Sequence, residues 1–120
     1  MTLRETVISR IEAYFDNGTM KSELANLVSY PTESQVPERK PVLQDYLNMA
    51  ITPRLQAAGF EIKIYDNQVA EGGPLMIARR TEDATLPTVL IYGHGDVIHA
   101  QTAQWREGLS PFVLKEEGDR

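Results

Sequence analysis

The chain has 120 residues, a formal charge of −5 and 42% hydrophobic residues, which is ordinary for one soluble globular domain. Its 17 acidic residues outnumber 12 basic ones and no basic cluster is present, which argues against a nucleic-acid partner. Because there is no cysteine, the fold cannot depend on disulfides, and a metal would need histidine and carboxylate ligands. No apolar run reaches the length of a membrane span, and the N-terminus is charged where a signal peptide is apolar. We therefore expect a cytoplasmic protein without a membrane partner.

Two helices are predicted at the start of the chain from apolar residues that recur at helical spacing. The first covers residues 3 to about 16, with Thr2 as its N-cap and Asn17-Gly18 as its end. The second covers about residues 20 to 28. We expect the apolar stripe of each helix to face a core.

A third, longer apolar stripe predicts helical structure from about residue 37 to residue 58. Pro53 interrupts this stripe, since proline has no backbone N–H to donate. The helix should therefore kink there, or a new helix should start with Thr52 as its cap. Gly59 should end the helical segment.

Three strands are predicted in the second half of the chain. Residues 60–65 and about 75–79 are short β-prone runs, the first with clear alternation, and residues 89–92 form an uninterrupted apolar run that is typical of a buried strand. Helices followed by a buried central strand predict an α/β fold with three layers, in which helices flank a mixed, partly parallel sheet.

Gly93-His94-Gly95-Asp96 follows the predicted buried strand directly. Alternate residues of an extended segment point the same way, so His94 and Asp96 should face one site. A neutral imidazole can bind a metal through one nitrogen while a carboxylate orients the ring. The alternative is a strand that ends in a polar turn, with Asp96 capping the loop and His94 at the surface.

The residues that follow strengthen the metal interpretation. The sequence continues with Val97, Trp105 and Pro111-Phe112, and it closes on Gly118-Asp119-Arg120. In this order the motifs resemble the two-zinc aminoacylase, carboxypeptidase and dipeptidase family of metallohydrolases. Acetylornithine deacetylase, succinyl-diaminopimelate desuccinylase, glutamate carboxypeptidase and carnosinase belong to that family. In its members a Gly-Arg-Gly-x-x-Asp-x-Lys-Gly motif comes next, and this sequence ends where that motif should begin.

The resemblance implies a fold, a chemistry and two site residues. Residues 1–120 would be the N-terminal segment of an incomplete zinc-peptidase-like catalytic domain, without the family's dimerisation domain. Family members cleave amide bonds of dipeptides or N-acyl amino acids with two divalent ions, usually zinc, with cobalt or manganese as alternatives. His94 would be a metal ligand, and Asp96 would be the catalytic carboxylate that orients it.

The same resemblance implies that most of the active site is missing. One histidine cannot hold a two-metal cluster, because a catalytic zinc typically needs about three protein ligands. We therefore expect the parent enzyme to be a hydrolase and this chain alone to be inactive and to self-associate through an unpaired strand edge. The alternative is a binding or assembly module without catalysis. A flavodoxin-like nucleotide binder is disfavoured, because no glycine-rich phosphate loop follows an early strand.

Four other polar residues are interpreted as surface residues without a catalytic or binding role. Glu33 is interpreted as a solvated loop acid, and His99 as a surface residue. Glu116 and Glu117 superficially resemble the family's acidic pair that supplies the general base, but that pair lies downstream of the missing motif. We expect both to be solvated.

Overall fold

A computed structural model describes residues 1–118 and residue 120, and it shows a mixed helix and sheet protein. Asp119, which belongs to the last segment of the resemblance, lies outside the described residues. The chain divides into two compact units. One unit joins Met1–Ser29 to Thr102–Arg120, and the other is Tyr30–Gln101. The predicted α/β class is confirmed at this coarse level.

The first unit contains α1, Leu3–Asp16, and α2, Thr19–Val28, close to the predicted bounds. Thr2 caps α1 through a reciprocal pair of hydrogen bonds. Its Oγ1 accepts from the Glu5 N–H at 3.2 Å, and its own N–H donates to Glu5 Oε2 at 2.7 Å. The predicted cap is therefore confirmed, and α1 ends at Asn17 as expected.

The apolar stripe of α1 is exposed, which differs from the predicted core face. Neither α1 nor α2 contains a buried residue. The rest of this unit is loop apart from a short 3₁₀ turn, Thr102–Gln104. The exposed residues are Leu3, Val7, Ile8, Ile11, Tyr14 and Phe15.

The second unit begins its helical part at Pro37, as predicted, but the helix is not uniform. A 3₁₀ turn is followed by α3, by a π-helical segment and by α4: Pro37–Arg39, Lys40–Asp45, Tyr46–Ile51 and Thr52–Ala57. The π-helical segment comes just before Pro53. In a regular helix the proline ring would crowd the carbonyl four residues earlier, and that carbonyl lies in the π-helical segment.

The predicted capping role of Thr52 is wrong. Ile51 occupies the N-cap position of α4, and Thr52 already has helical backbone angles. The Thr52 hydroxyl is buried without a hydrogen-bond partner among the described residues. A β-branched residue in the first turn simply continues the helix here, because the preceding π-helical turn leads directly into α4. Gly59, with φ of +84°, follows the end of α4 as predicted.

The sheet consists of two strands, β1 (Glu61–Tyr65) and β2 (Leu75–Arg79), at the predicted positions. They pair antiparallel, with Glu61 opposite Arg79 and Tyr65 opposite Leu75. Ile62 and Ile64 point to the more protected face while their neighbours are exposed, as the alternation predicted. The predicted three-layer, partly parallel sheet is not present in the described chain. Its parallel pairing is limited to an isolated bridge between residues 33 and 97.

Residues 89–92 also differ from the prediction. Val89, Leu90, Ile91 and Tyr92 are between 79% and 94% exposed, and they pair with no strand of the described chain. High β propensity indicates a fit to a half-buried pleated surface, and this segment has no such surface beside it. The predicted burial is therefore not found, although His94 does follow this segment directly.

Burial is concentrated at a few positions of the second unit. Leu43 and Ala50 are the buried apolar residues of the described chain, and Thr32 is its buried polar residue. Leu43 and Ala50 come from the helical segment between residues 40 and 51, so that segment supplies the centre of the core. Among the described helices, none has both the length and the apolar character needed to cross a membrane.

Candidate functional site

The structure brings His94 and Asp96 into contact, as their spacing predicted. His94 Nδ1 lies 3.3 Å from Asp96 Oδ1 and 3.0 Å from the Asp96 backbone carbonyl oxygen. Both side chains are open to solvent, at 65% and 47% exposure. Nδ1 of the ring is therefore directed at Asp96, while the ring stays accessible to solvent.

The contact also selects the tautomer of His94. A carbonyl oxygen only accepts hydrogen bonds, so this contact is a hydrogen bond in the tautomer whose Nδ1 carries the proton, and it favours that tautomer. In the neutral ring, Nε2 then keeps its lone pair. Sequence reasoning assigned the orienting role to the Asp96 carboxylate alone. The structure adds the backbone carbonyl of the same residue as the nearer acceptor.

A second loop, residues 30–36, holds the backbone on both sides of Asp96. The Thr32 hydroxyl donates to the Gly95 carbonyl at 2.6 Å, and the Val97 N–H donates to the Thr32 carbonyl at 2.9 Å. The Ser34 N–H donates to the Val97 carbonyl at 3.0 Å, which completes a short parallel bridge. Because Gly95 and Val97 are both fixed, the direction of the Asp96 backbone is fixed as well.

Glu33 belongs to this contact, and its interpretation as a solvated loop acid is wrong. Its side chain is only 13% exposed. One carboxylate oxygen accepts from the Ala100 N–H at 2.9 Å, and the other lies 3.5 Å from Arg39 Nε. The amide and the guanidinium together compensate the partial burial of the charge. Neither partner could be identified from the loop's own sequence, because Ala100 is 67 residues away.

An aromatic pair supports the opposite side of the loop. A β-carbon added at Gly95 would overlap the Tyr46 ring, so position 95 has no room for a side chain. Tyr30 packs edge-on against Tyr46, with ring centroids 5.6 Å apart and planes at 74°. Burial raises the pKa of the Tyr46 phenol above its usual value, and the charge of Arg54 offsets part of this rise. Tyr46 begins the π-helical segment, so the irregular helix places the ring at the loop.

The other acids and the second histidine stay outside this arrangement. His99 is exposed, as predicted. Glu116 and Glu117, in the other unit, are exposed and form ion pairs with Lys21 and Arg106 respectively. Their assignment as solvated acids agrees with this exposure.

The described residues do not form a complete metal site. Within them, no group of three or more histidine, cysteine, aspartate or glutamate side chains converges on one point. A concave surface of the second unit is lined by Gly59, Glu61, Arg79, Arg80 and Thr81, so His94 stands outside it. The donors at hand fit one ligand of a metal: a neutral imidazole nitrogen whose ring is held by a carbonyl and a carboxylate.

Three residues that support the loop were missed at the sequence level: Thr32, Tyr46 and the acceptor role of Glu33. Residues 29–34 are rich in turn-forming residues, but composition carries no information about which distant loop a turn contacts. Gly95 was the only available signal, because a glycine beside a candidate ligand indicates close approach of another group.

Comparison with protein-family models, with curated proteins and with solved structures gives no match to this chain. The resemblance to two-zinc metallohydrolases therefore stays a prediction from the ordered motifs of the sequence.

Proposed function

We propose that this chain contributes the first metal ligand of a metal-dependent hydrolase that cleaves amide bonds in dipeptides or N-acyl amino acids. His94 is the ligand, and Asp96 orients it. The observation that carries the proposal is the contact of His94 Nδ1 with Asp96, in which Nδ1–H donates to Asp96 and leaves Nε2 for a metal. A ligating histidine in proteins almost always has its other ring nitrogen held in this way.

The proposal assigns specific tasks to the residues of this chain. Asp96 holds the ring in one tautomer, and Gly95 lets the Tyr46 ring approach the loop where a side chain would be in the way. Exposure of the imidazole leaves Nε2 accessible from outside the loop. In the complete enzyme, His94 would help to hold two divalent ions, zinc or else cobalt or manganese, which when bound would activate water and polarise the amide carbonyl.

The proposal extends to the fold. We propose that residues 1–120 are the N-terminal segment of a catalytic domain in a larger, cytoplasmic enzyme, where residues 89–92 enter a three-layer, partly parallel sheet. The exposed β-prone run and the parallel bridge at Val97 support this idea. The chain alone would have no hydrolase activity, because it supplies one ligand where about three are needed per catalytic zinc. The intact mass of the protein made by its source cell tests this: a mass of only 120 residues would contradict it.

Zinc titration of the 120-residue chain tests the ligand assignment. Isothermal titration calorimetry should show weak binding that His94→Ala abolishes and His99→Ala, the matched control, leaves unchanged. Asp96→Asn should weaken binding while Asp83→Asn, a control in an exposed turn, should not. Equal zinc affinity of the wild type and His94→Ala would contradict the proposal. The zinc-loaded chain should not hydrolyse a panel of dipeptides and N-acyl amino acids, and turnover would contradict the one-ligand account.

A second candidate function, self-assembly without catalysis, is favoured by one observation. Residues 84–93 contain no charged side chain, although the chain carries a net charge of −5. Two copies of this segment can therefore pair without bringing like charges together. Each of β1 and β2 also has one edge without a described strand partner. Such an edge can pair with a strand from another molecule. The exposed segment of a second copy of this chain is therefore the partner that fits.

A charge introduced into the segment tests self-assembly. Light scattering over a concentration series should show association of the wild-type chain. Ile91→Lys should abolish it, because a buried unpaired charge opposes strand pairing. Gln68→Lys adds the same charge to an exposed loop outside the segment and should leave association unchanged. A wild-type chain that stays monomeric at all concentrations would contradict this candidate, and equal association of Ile91→Lys would place the interface elsewhere and contradict it too.

A further inference from the structure

The strongest unassigned feature of the described chain is the buried hydroxyl of Thr32. Thr32 is 3% exposed, and it lies in a loop whose neighbours are mostly more accessible. Its hydroxyl donates to the Gly95 carbonyl over only 2.6 Å, across 63 residues of sequence. A buried hydroxyl that gives its hydrogen bond to one distant carbonyl fixes the position of that carbonyl.

Thr32 also uses its backbone on the same loop. Its carbonyl accepts from the Val97 N–H at 2.9 Å. The side chain of Thr32 thus holds the residue before Asp96, and the main chain of Thr32 holds the residue after it. Between these two points the Asp96 peptide has little freedom to rotate, and its carbonyl is the nearer acceptor of the His94 proton.

Gly95 is contacted both by the Tyr46 ring and by the Thr32 hydroxyl. Tyr46 packs against one side of Gly95 so closely that no β-carbon would fit. Glycine has wide backbone freedom, and the Thr32 hydrogen bond is what limits it at this point. Without that bond, the Gly95 carbonyl can rotate, and the Asp96 peptide is held at one end only, by the Val97 N–H that donates to the Thr32 carbonyl.

We propose that Thr32 is a positioning residue for His94. By fixing the backbone on both sides of Asp96, it keeps the imidazole in the Nδ1–H tautomer and leaves Nε2 for the metal. This inference rests on the proposed function for its link to metal binding. Its structural half, control of the His94 tautomer, stands without the metal.

Imidazole ¹H–¹⁵N spectra of the metal-free chain test the structural half, at about pH 8.5, where an ordinary histidine is neutral. Thr32→Val keeps the shape and removes the donor, so the Nε2–H tautomer of His94 should gain population. Thr32→Ser keeps the hydroxyl and should retain the wild-type tautomer. Thr88→Val is the matched control at an exposed threonine and should change nothing.

Zinc titration of the same variants tests the second half. Loss of a group that orients a metal ligand typically costs about 10–100-fold in affinity. Because Thr32 acts through the backbone of Asp96, we expect Thr32→Val to weaken zinc binding about three- to tenfold, and Thr32→Ser to restore it.

The outcomes separate the two proposals. An unchanged His94 tautomer in Thr32→Val would overturn the positioning role, even if the wild type binds zinc. Absence of zinc binding by the wild type would overturn the proposed function and leave the tautomer result to decide the role of Thr32. If Thr32→Val does not fold, Thr32→Ser still decides, because a folded Thr32→Ser chain with the altered tautomer would also overturn the inference.

Discussion

Gly95 and the ring of Tyr46 are packed so closely that only glycine fits between His94 and Asp96. The added β-carbon of an alanine at position 95 would overlap the ring carbons, whereas at Gly93 it would meet nothing within 4 Å. The two glycines that flank His94 therefore do different things. Gly95 admits the aromatic ring, and Gly93 stands in open space.

Gly95→Ala should lower the free energy of unfolding by about 1–3 kcal/mol, because an extra carbon in a filled space forces its neighbours to move. Urea denaturation monitored by circular dichroism measures the change. Gly93→Ala is the matched control and should be neutral or slightly stabilising, since its backbone φ is not in the left-handed region. Equal destabilisation by both substitutions would contradict the packing of Tyr46 on the loop.

Tyr46 should make the chain less stable at high pH. Burial raises the pKa of the folded phenol, so between its unfolded and folded values the unfolded state binds fewer protons. The contribution is constant below about pH 10 and is lost as the pH rises through the folded pKa. Thermal melts of the wild type and of Tyr46→Phe measure this contribution. The difference in stability between the two proteins should change only above about pH 10. A difference that is independent of pH would show that the phenol is not desolvated.

Glu33 should hold the far end of the His94 loop through the Ala100 N–H. Glu33→Ala removes the acceptor of that hydrogen bond, and the Ala100 amide should exchange its hydrogen faster. Glu33→Gln keeps an oxygen at this position and removes the charge beside Arg39, so protection of the amide should largely remain. Amide exchange followed by NMR distinguishes the two variants. Protection that survives in Glu33→Ala would contradict this contact.

Thr2 should stabilise α1 through its capping box with Glu5. Thr2→Ala removes the side-chain acceptor at the start of the helix and should cost about 1 kcal/mol. The helical content of residues 3–16, read from NMR chemical shifts, should fall at the N-terminal turn. Ser9→Ala, in the middle of the same helix, is the control and should not lower it. A loss confined to the control would refute the capping role.

Local features of this fold were predictable because their causes are local. Thr2, Gly59 and the alternation of residues 60–65 each act within a few residues, and the structure confirms the elements that they predicted. Pro53 was correctly identified as a disturbance. The sequence did not reveal its form, a π-helical turn rather than a cap at Thr52, since that depends on how the preceding turn is packed.

Features that depend on distant partners were not predictable. The run at residues 89–92 has the composition of a buried strand, but composition does not say whether a neighbouring strand exists. In the candidate site, the contact of His94 with Asp96 follows from their spacing of two residues. The contacts that Thr32 and Glu33 make span more than 60 residues, and only tertiary structure reveals them.

We propose that His94 presents Nε2 to a metal while its Nδ1–H is held by Asp96. The most direct measurement is a zinc titration of the isotope-labelled chain that follows the His94 imidazole nitrogens by NMR. We expect the Nδ1–H tautomer without metal and a selective change at Nε2 on adding zinc, with His99 unaffected. An Nε2–H tautomer, or His94 signals that zinc leaves unchanged, would contradict it.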